Sequence, residues 1–421
     1  MAEWDVVVVG AGAAGLLAAA RAAERGRKTI LLEKNPKAGV KILISGGTRC
    51  NLTHDTDARG IVEAFGRPGR FLNSAVAALP PQALVDLVEA EGVPTRVEAL
   101  GKIFPASGRA FDVLGAFLRR LKRSGATPAL EEPARDLRKN GAGFDIVTPM
   151  RTLTAARVIV TVGGQSYPGC GTTGDGYAWA RRLGHTVVPP RPSLTPVIVD
   201  LPWVHALKGV TIPDVQVRVV GVEAGKSKIE NGKWKGNERA CRRGSLLFTH
   251  VGLSGPVVLD VSREISGHPE PRSLALECDF LPDLSAGALE ERIRGAAVLE
   301  GRKALTFLLA DEFPRSFREA VLGLVRLDPG RKIAELTKED RRRLVLMFKA
   351  LPIPVAGTLG FAKAEVTAGG VALDEVDSRT MESKKVPGLH FAGEILDLDG
   401  PIGGYNFQAA FSTGWQAGGS V

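Results

Sequence analysis

Six residues near the amino terminus, Gly10-Ala11-Gly12-Ala13-Ala14-Gly15, have the G-x-G-x-x-G spacing, and their surroundings give that spacing a chemical meaning. A continuous apolar run, Val6 to Val9, precedes them and reads as a buried parallel strand. A helical run from Ala14 to about Arg25 follows, and Gly26 ends it. In such a turn Gly10 permits the tight reversal, Gly12 lets a diphosphate approach the backbone, and Gly15 lets the helix pack closely on the strand. The helix N-terminus, with Ala13 and Ala14 in its first turn, offers unpaired N–H groups and partial positive charge to the phosphates. Glu33 stands eighteen residues beyond Gly15, at the end of a second strand, Thr29 to Leu32. Its carboxylate is placed to accept from adenosine ribose hydroxyls and would repel a 2′-phosphate, so NADP is not expected at this turn. These features suit FAD and NAD equally.

The other end of the chain separates the two. At Leu389-His390-Phe391-Ala392-Gly393-Glu394 a strand ends in small residues and an acid, and Gly403-Gly404-Tyr405-Asn406 opens a helix. Glu394 can accept from a ribityl hydroxyl. The helix at Asn406 can aim its amides at the pyrimidine edge of a flavin, where negative charge develops on reduction. The cofactor expected is therefore FAD, bound non-covalently.

The chain resembles the YhiN/BaiN-like FAD-dependent flavoproteins, also described as aminoacetone-oxidase-like. Five ordered segments carry the resemblance: Ser45-Gly46-Gly47-Thr48-Arg49-Cys50-Asn51; Gly164-Gln165-Ser166-Tyr167-Pro168 with Thr173-Gly174-Asp175-Gly176-Tyr177; Phe248 to Pro256; Thr380 to Lys384; and Phe391 to Glu394 running on to Asn406. It implies an α/β Rossmann-type FAD-binding domain of the two-dinucleotide-binding-fold class, built from both chain ends, with an inserted β-barrel-like subdomain and a helical subdomain. It also implies that Ser45, Gly46, Gly47, Arg49, Cys50 and Asn51 lie along the cofactor and that Gly163 and Gly164 lie near its adenosine side. Lys34 and Lys41 join the residues expected at the cofactor. Thr48 departs from the family, which usually has a third glycine there. The resemblance associates such proteins with amine oxidation and with reduction of conjugated enones, so NAD(P)H-dependent reductase and amine oxidase both stay open.

Side chains that could move protons are few. A histidine side chain can exchange protons near neutral pH and Tyr405 adjoins the flavin-facing helix, which makes His250 and Tyr405 the two catalytic candidates. A histidine at a strand end is more often structural, and flavin chemistry needs little beyond the ring and its positioning. Cys50 sits between Arg49 and Asn51, where a cation could favour thiolate. With no cysteine partner nearby, packing or hydrogen bonding is its expected role. Arg49 could grip the diphosphate with its forked guanidinium. Tyr167 either stacks near the cofactor or closes the Pro168 turn.

The elements that must position these groups follow from the hydrophobic pattern. Pro81 to Glu91 and Ala110 to Arg123 have helical spacing, and Asn140-Gly141 joins two short strands as a hairpin. Val158 to Val162 is a buried strand, and a helix starts after Gly174-Asp175-Gly176. From Val188 prolines crowd the chain, which places a domain boundary there: residues 1–190 with 357–421 form the FAD domain, and 191–356 the insert, β-rich to about 284 and helical from about 285 to 350. Leu389 to Ala392 and Asn406 to Gln416 complete the first domain as strand and helix.

Composition narrows the remaining classes. The four cysteines are widely spaced with no C-x-x-C, against a disulfide framework, a zinc site or a dithiol centre, and no metal is expected. No leader precedes the first strand and no apolar stretch reaches about 20 residues, so the reading is a cytoplasmic protein without a membrane partner. The formal charge of +9 permits an acidic partner. However, the basic residues, such as Arg119, Arg120, Lys122 and Arg123, are not interleaved along the chain with aromatics, and no stable nucleic-acid partner is expected. No second G-x-G-x-x-G lies between a strand and a helix, so NAD(P)H, if it is the reductant, docks transiently. The expected reaction is hydride transfer between a small organic substrate, held between flavin and insert, and N5 of FAD. The alternatives are an RNA-modifying flavoenzyme and a redox-responsive binding module without catalysis. Oligomeric state is not legible.

Overall fold

A computed structural model describes residues 2–141, 143–221, 229–230, 233–234 and 238–421. The chain forms two compact units, 1–192 with 364–421 and 193–363. The return to the first unit comes after residue 363 because Gly357–Thr358 is still a strand of the insert, paired with Val197–Ile198.

In the first unit the strand Trp4–Val9 (β1) lies between Thr29–Leu32 (β2) and Thr152–Val160, parallel to both. Thr152–Val160 is used twice along one edge. Its first half pairs antiparallel with the hairpin strand Gly143–Val147, and its last three residues pair parallel with Leu389–Phe391. Four parallel strands thus end at the same edge, which delivers Gly10, Glu33, Thr161 and Ala392 to one rim. Ligands of open parallel sheets gather at such a rim.

The helix Ala13–Glu24 (α1) is almost wholly alanine, glycine and leucine on its buried positions. Small side chains let the C-terminal helix, Tyr405–Ser420, approach it backbone to backbone. A Cβ built at Gly414 would lie 2.2 Å from the Ala14 carbonyl oxygen, and one at Gly418 would lie 2.3 Å from that of Ala18. The two chain ends are therefore welded through glycines.

His390 sits on the Leu389–Phe391 strand, 2 % exposed, with Nδ1 unpartnered among the described residues. Burial pulls its pKa down from 6.5 to about 4, Glu382 opposing only in part. The folded protein keeps His390 neutral where the unfolded chain would protonate it. Stability is therefore complete above about pH 6.5 and falls as pH drops from there towards 4, by about 3 kcal/mol. Denaturant titrations of the wild type and His390→Leu at pH 7.5 and 4.5 check this. The substitution should remove most of the difference, and an unchanged difference would assign it elsewhere.

The main sheet of the insert has seven strands in the order Leu351–Pro354, Leu274–Asp279, Thr211–Gly221, Glu238–Thr249, Gly252–Ser254, Val197–Ile198, Gly357–Thr358, paired antiparallel. The first and last of these are joined by Val355 and Ala356, whose N–H groups donate to Leu274 and Ile198 and draw the edges together. The helices Ala286–Leu299, Arg315–Leu324 and Lys338–Ala350 follow the β part. Within the stretch read as β-rich, Pro256–Ser266 is helical. Val257, Val261 and Ile265 bury one helical face there, and Pro256 supplies a favourable first residue. Among the described residues no single helix is long and apolar enough to cross a membrane.

Candidate functional site

The glycines of the first turn do three different things. Gly10 has φ +100°, and a Cβ there would press on Thr161 O at 2.7 Å. A Cβ at Gly15 would come within 1.8 Å of Gly10 O. At Gly12, in ordinary extended backbone, a Cβ would meet nothing within 4 Å. Gly10 and Gly15 are thus required by the protein's own packing, whereas Gly12 opens onto free space at the N-terminus of α1. That space is where a diphosphate would take the first-turn amides. Thr161 Oγ1 donates to Val9 O at 2.9 Å and Gly10 O at 2.8 Å, pinning the turn to the neighbouring strand.

Glu33 is buried and already oriented, accepting from Ala11 N–H at 2.8 Å and Asn35 N–H at 2.9 Å. A carboxylate has about four acceptor positions, so two remain, the number a ribose diol requires. Across the rim, Gly393 (φ +78°) donates its N–H to Thr413 Oγ1 at 3.0 Å, and a Cβ there would lie 2.9 Å from Ala14 Cβ. Ala13 and Ala14 are small at the point where the C-terminal loop passes.

Glu394 ends a polar network. Lys41 Nζ donates to Glu394 Oε2 and to Ser166 Oγ, each at 2.5 Å, Ser166 donates to Glu394, and Thr367 N–H donates to Glu394 Oε1 at 3.0 Å. One acceptor position remains for a ribityl hydroxyl. Gly164 is fitted against this network, since a Cβ there would lie 2.4 Å from Thr367 Oγ1 and 3.0 Å from Glu394. Gly163 (φ +73°) closes the preceding turn against Thr172.

The helix Val40–Thr48 (α2) is tied to the first turn by Gly39 N–H donating to Ala11 O at 2.8 Å. It breaks at Ser45 (ψ 150°), after which Gly46 (φ +54°), Gly47 (φ +66°) and Thr48 (φ +69°) are left-handed. The third glycine of the resemblance thus falls on a left-handed residue. Thr48 is exposed, and its β-branched side chain strains that backbone. Thr48→Gly should raise stability by about 0.5–1 kcal/mol, the relieved strain exceeding glycine's entropic cost. Equal or lower chemical-denaturation stability would contradict this. Gly47 opens onto free space, and Asn51 Oδ1 is buried without a partner among the described residues. Cys50 is fully buried, and burial raises its thiol to about 12 against a hydrogen bond with Ser45. It stays a thiol at neutral pH, which leaves it the packing role.

Gly403 and Gly404 receive the short strand Thr53–His54. A Cβ at Gly404 would lie 2.5 Å from Thr53 O, and His54 Nδ1 lies 3.1 Å from Gly403 O. The His54 ring stacks on Tyr405, centroids 4.5 Å apart and planes 23° from parallel. Asn406 clamps its own loop, accepting from Gly400 N–H and donating to Gly400 O and Pro401 O. It shapes the helix start rather than offering its amide side chain outward.

An open space at Gly12, two lone-pair sites on Glu33, one on Glu394, and the orphaned Asn51 oxygen fit a flavin dinucleotide laid along both chain ends. The family model for the HI0933-like protein Rossmann domain matches residues 4–420. The chain belongs to this family. The HI0933-like assignment agrees with the YhiN/BaiN resemblance, and the protein is an FAD-binding oxidoreductase. It is 32 % identical over 425 residues to an Escherichia coli K12 ribosomal RNA dihydrouridine synthase, covering 99 % of this chain and 97 % of that one. The Haemophilus influenzae protein of the same name is 32 % identical over 419 residues, covering 97 % and 96 %. A Clostridium scindens 3-dehydro-bile acid delta(4,6)-reductase is 28 % identical over 414 residues, covering 98 % and 97 %.

Two cations expected at the cofactor of this HI0933-like protein are held by its own acids. Lys34 Nζ donates to Asp175 at 2.7 Å and to Thr173 at 2.8 Å. Arg49 donates to Glu98 at 2.9 Å and lies 4.2 Å over the Phe104 ring. His250 belongs to the insert, exposed in the turn after Glu238–Thr249. Four contributors were not singled out from sequence: His54, Thr161, Ser166 and Thr367. Ser166 lay inside a quoted motif. The others had no local signal, because only strand pairing brings them to the rim.

Proposed function

We propose that this protein reduces a carbon–carbon double bond conjugated to a carbonyl, and that its substrate is uridine in ribosomal RNA. The observation that carries this is the 32 % identity, end to end, with a ribosomal RNA dihydrouridine synthase. The reductase acting on Δ4,6 of a 3-dehydro bile acid shares the chemistry, because both names describe saturation of an unsaturated carbonyl system. It supports a second reading, a free enone as substrate. Amine oxidation draws no support from these relatives.

Bound FAD supplies hydride to one carbon of such a bond. The remaining tasks fall to this chain. Gly12 and the first turn of α1 hold the diphosphate, Glu33 the ribose, and Glu394, braced by Lys41 and Ser166, the ribityl chain. A proton must reach the second carbon, and Tyr405 Oη is the proposed donor, its ring held by the stack on His54. NAD(P)H serves as transient electron donor, in keeping with the single strand–turn–helix glycine motif, and action on ribosomal RNA would be cytoplasmic.

The test is anaerobic bleaching of the yellow holoenzyme with NADH or NADPH. The reduced enzyme is then incubated with unmodified ribosomal RNA or with a cyclic enone, and the oxidised enzyme is mixed separately with primary amines. Mass spectrometry should find uridines heavier by two hydrogens. Reduction of the enone alone would favour the second reading, and bleaching by amines alone would remove both.

A further inference from the structure

We infer that the small sheet formed by Thr53–His54, Lys102–Pro105 and Thr95–Glu98 is a docking platform for unstacked, single-stranded RNA, with Leu100 at its tip as an apolar wedge. This rests on the uridine-reducing reading. Alternate residues of a strand share a face. With His54 opposite Lys102, Glu98 opposite Lys102 and Arg96 opposite Phe104, one face carries His54, Arg96, Glu98, Lys102 and Phe104. Two further groups arrive on it from outside the sheet. The Arg49 guanidinium lies over Phe104, and the Tyr405 ring lies on His54. Phe104 itself is buried beneath that guanidinium, so the surface presents Arg49, Arg96 and Lys102 together with the partly exposed His54–Tyr405 pair. Such a surface offers an RNA strand one ring pair on which a base can stack while its phosphates are neutralised.

The charge balance suits an anion. Glu98 is the face's one acid, and Arg49 and Arg96 both bond to it, at 2.9 and 2.7 Å. Those two arginines still leave a net cation, and Lys102 makes no ion pair among the described residues.

Leu100 stands in the tight connection between the two longer strands. It is 75 % exposed and left-handed (φ +60°), a conformation that disfavours any residue with a Cβ. Its neighbour Gly101 lies flat against the His54 ring, where a Cβ would be 2.7 Å from Nε2, and Gly101 O accepts from Asp55 N–H at 2.7 Å. A large apolar side chain therefore stands largely uncovered in its own unit, one residue before the glycine that packs on the His54 ring. Inserted between bases, it would fill the place of a nucleotide turned out of the stack, as an enzyme acting on a base requires.

Leu100→Gly and Lys102→Gln test this in the full-length, FAD-loaded enzyme. Neither residue belongs to the cofactor set, so flavin content and bleaching by nicotinamide should be unchanged. The probe is a fluorescein-labelled, uridine-containing RNA single strand, compared with its duplex by anisotropy. Leu100→Gly should weaken single-strand binding about tenfold, although removal of the left-handed leucine leaves thermal stability equal or higher. Lys102→Gln should lower the salt slope of log affinity by about one. If both variants bind and reduce RNA like wild type, or the duplex binds as tightly as the single strand, the platform is overturned while the uridine reading stands. If wild type neither binds nor reduces RNA, both fail together.

Discussion

Gly12→Val should yield folded, colourless protein. The prediction turns on the difference between three glycines in one turn. At Gly12 the backbone is one that valine adopts readily, and a Cβ meets no atom within 4 Å. The apoprotein therefore has no reason to resist the change. The valine methyls occupy the space above the α1 amides instead, and overpacking by about 3 kcal/mol corresponds to a loss of about 100-fold in FAD affinity. Far-ultraviolet circular dichroism should match the wild type while the flavin absorbance is lost, and the thermal midpoint should no longer rise with added FAD. Gly15→Val provides the contrast. Its Cβ would sit 1.8 Å from Gly10 O, so that protein should fail to fold. Retained yellow colour in Gly12→Val would mean that the diphosphate lies elsewhere.

The second large effect is at the opposite end of the chain. Gly414→Leu forces a side chain into a gap of 2.2 Å against the Ala14 carbonyl oxygen. Two helix backbones must separate, and one of them carries the first-turn amides. Stability should fall by about 3 kcal/mol or more, lowering the thermal midpoint by about 10 °C and releasing flavin with it. Gly419, five residues on in the same helix, has nothing within 4 Å of a built Cβ. Gly419→Ala should cost nothing and slightly favour the helix. Equal behaviour of the two variants would show that helix propensity, rather than the close approach to α1, governs this element.

Local elements were legible wherever the pattern is local. Thr29–Leu32 is the strand its apolar run indicates, and Ala110–Ser124 the helix its spacing indicates. Pro256–Ser266 was not, because its apolar residues sit among strands and a short apolar run does not distinguish strand from helix. Lys34 and Arg49 were placed by residue type, Arg49 also by the resemblance of its loop. A cation beside a glycine loop suits a diphosphate, but Asp175 and Glu98 reach them from 141 and 49 residues away.

The amino-acid sequence alone determined the strand–turn–helix at Gly10 to Gly15, the acid at Glu33 and the glycine-led helix at Tyr405, since each depends on backbone preferences and spacing within a few tens of residues. Tertiary structure alone decided that Lys41, Ser166 and Glu394 form one network, that His54 lies on Tyr405, and that Arg49 covers Phe104. The reason is physical. A strand's register and a helix's closest approach are set by which surfaces bury together, and those partners lie tens to hundreds of residues apart.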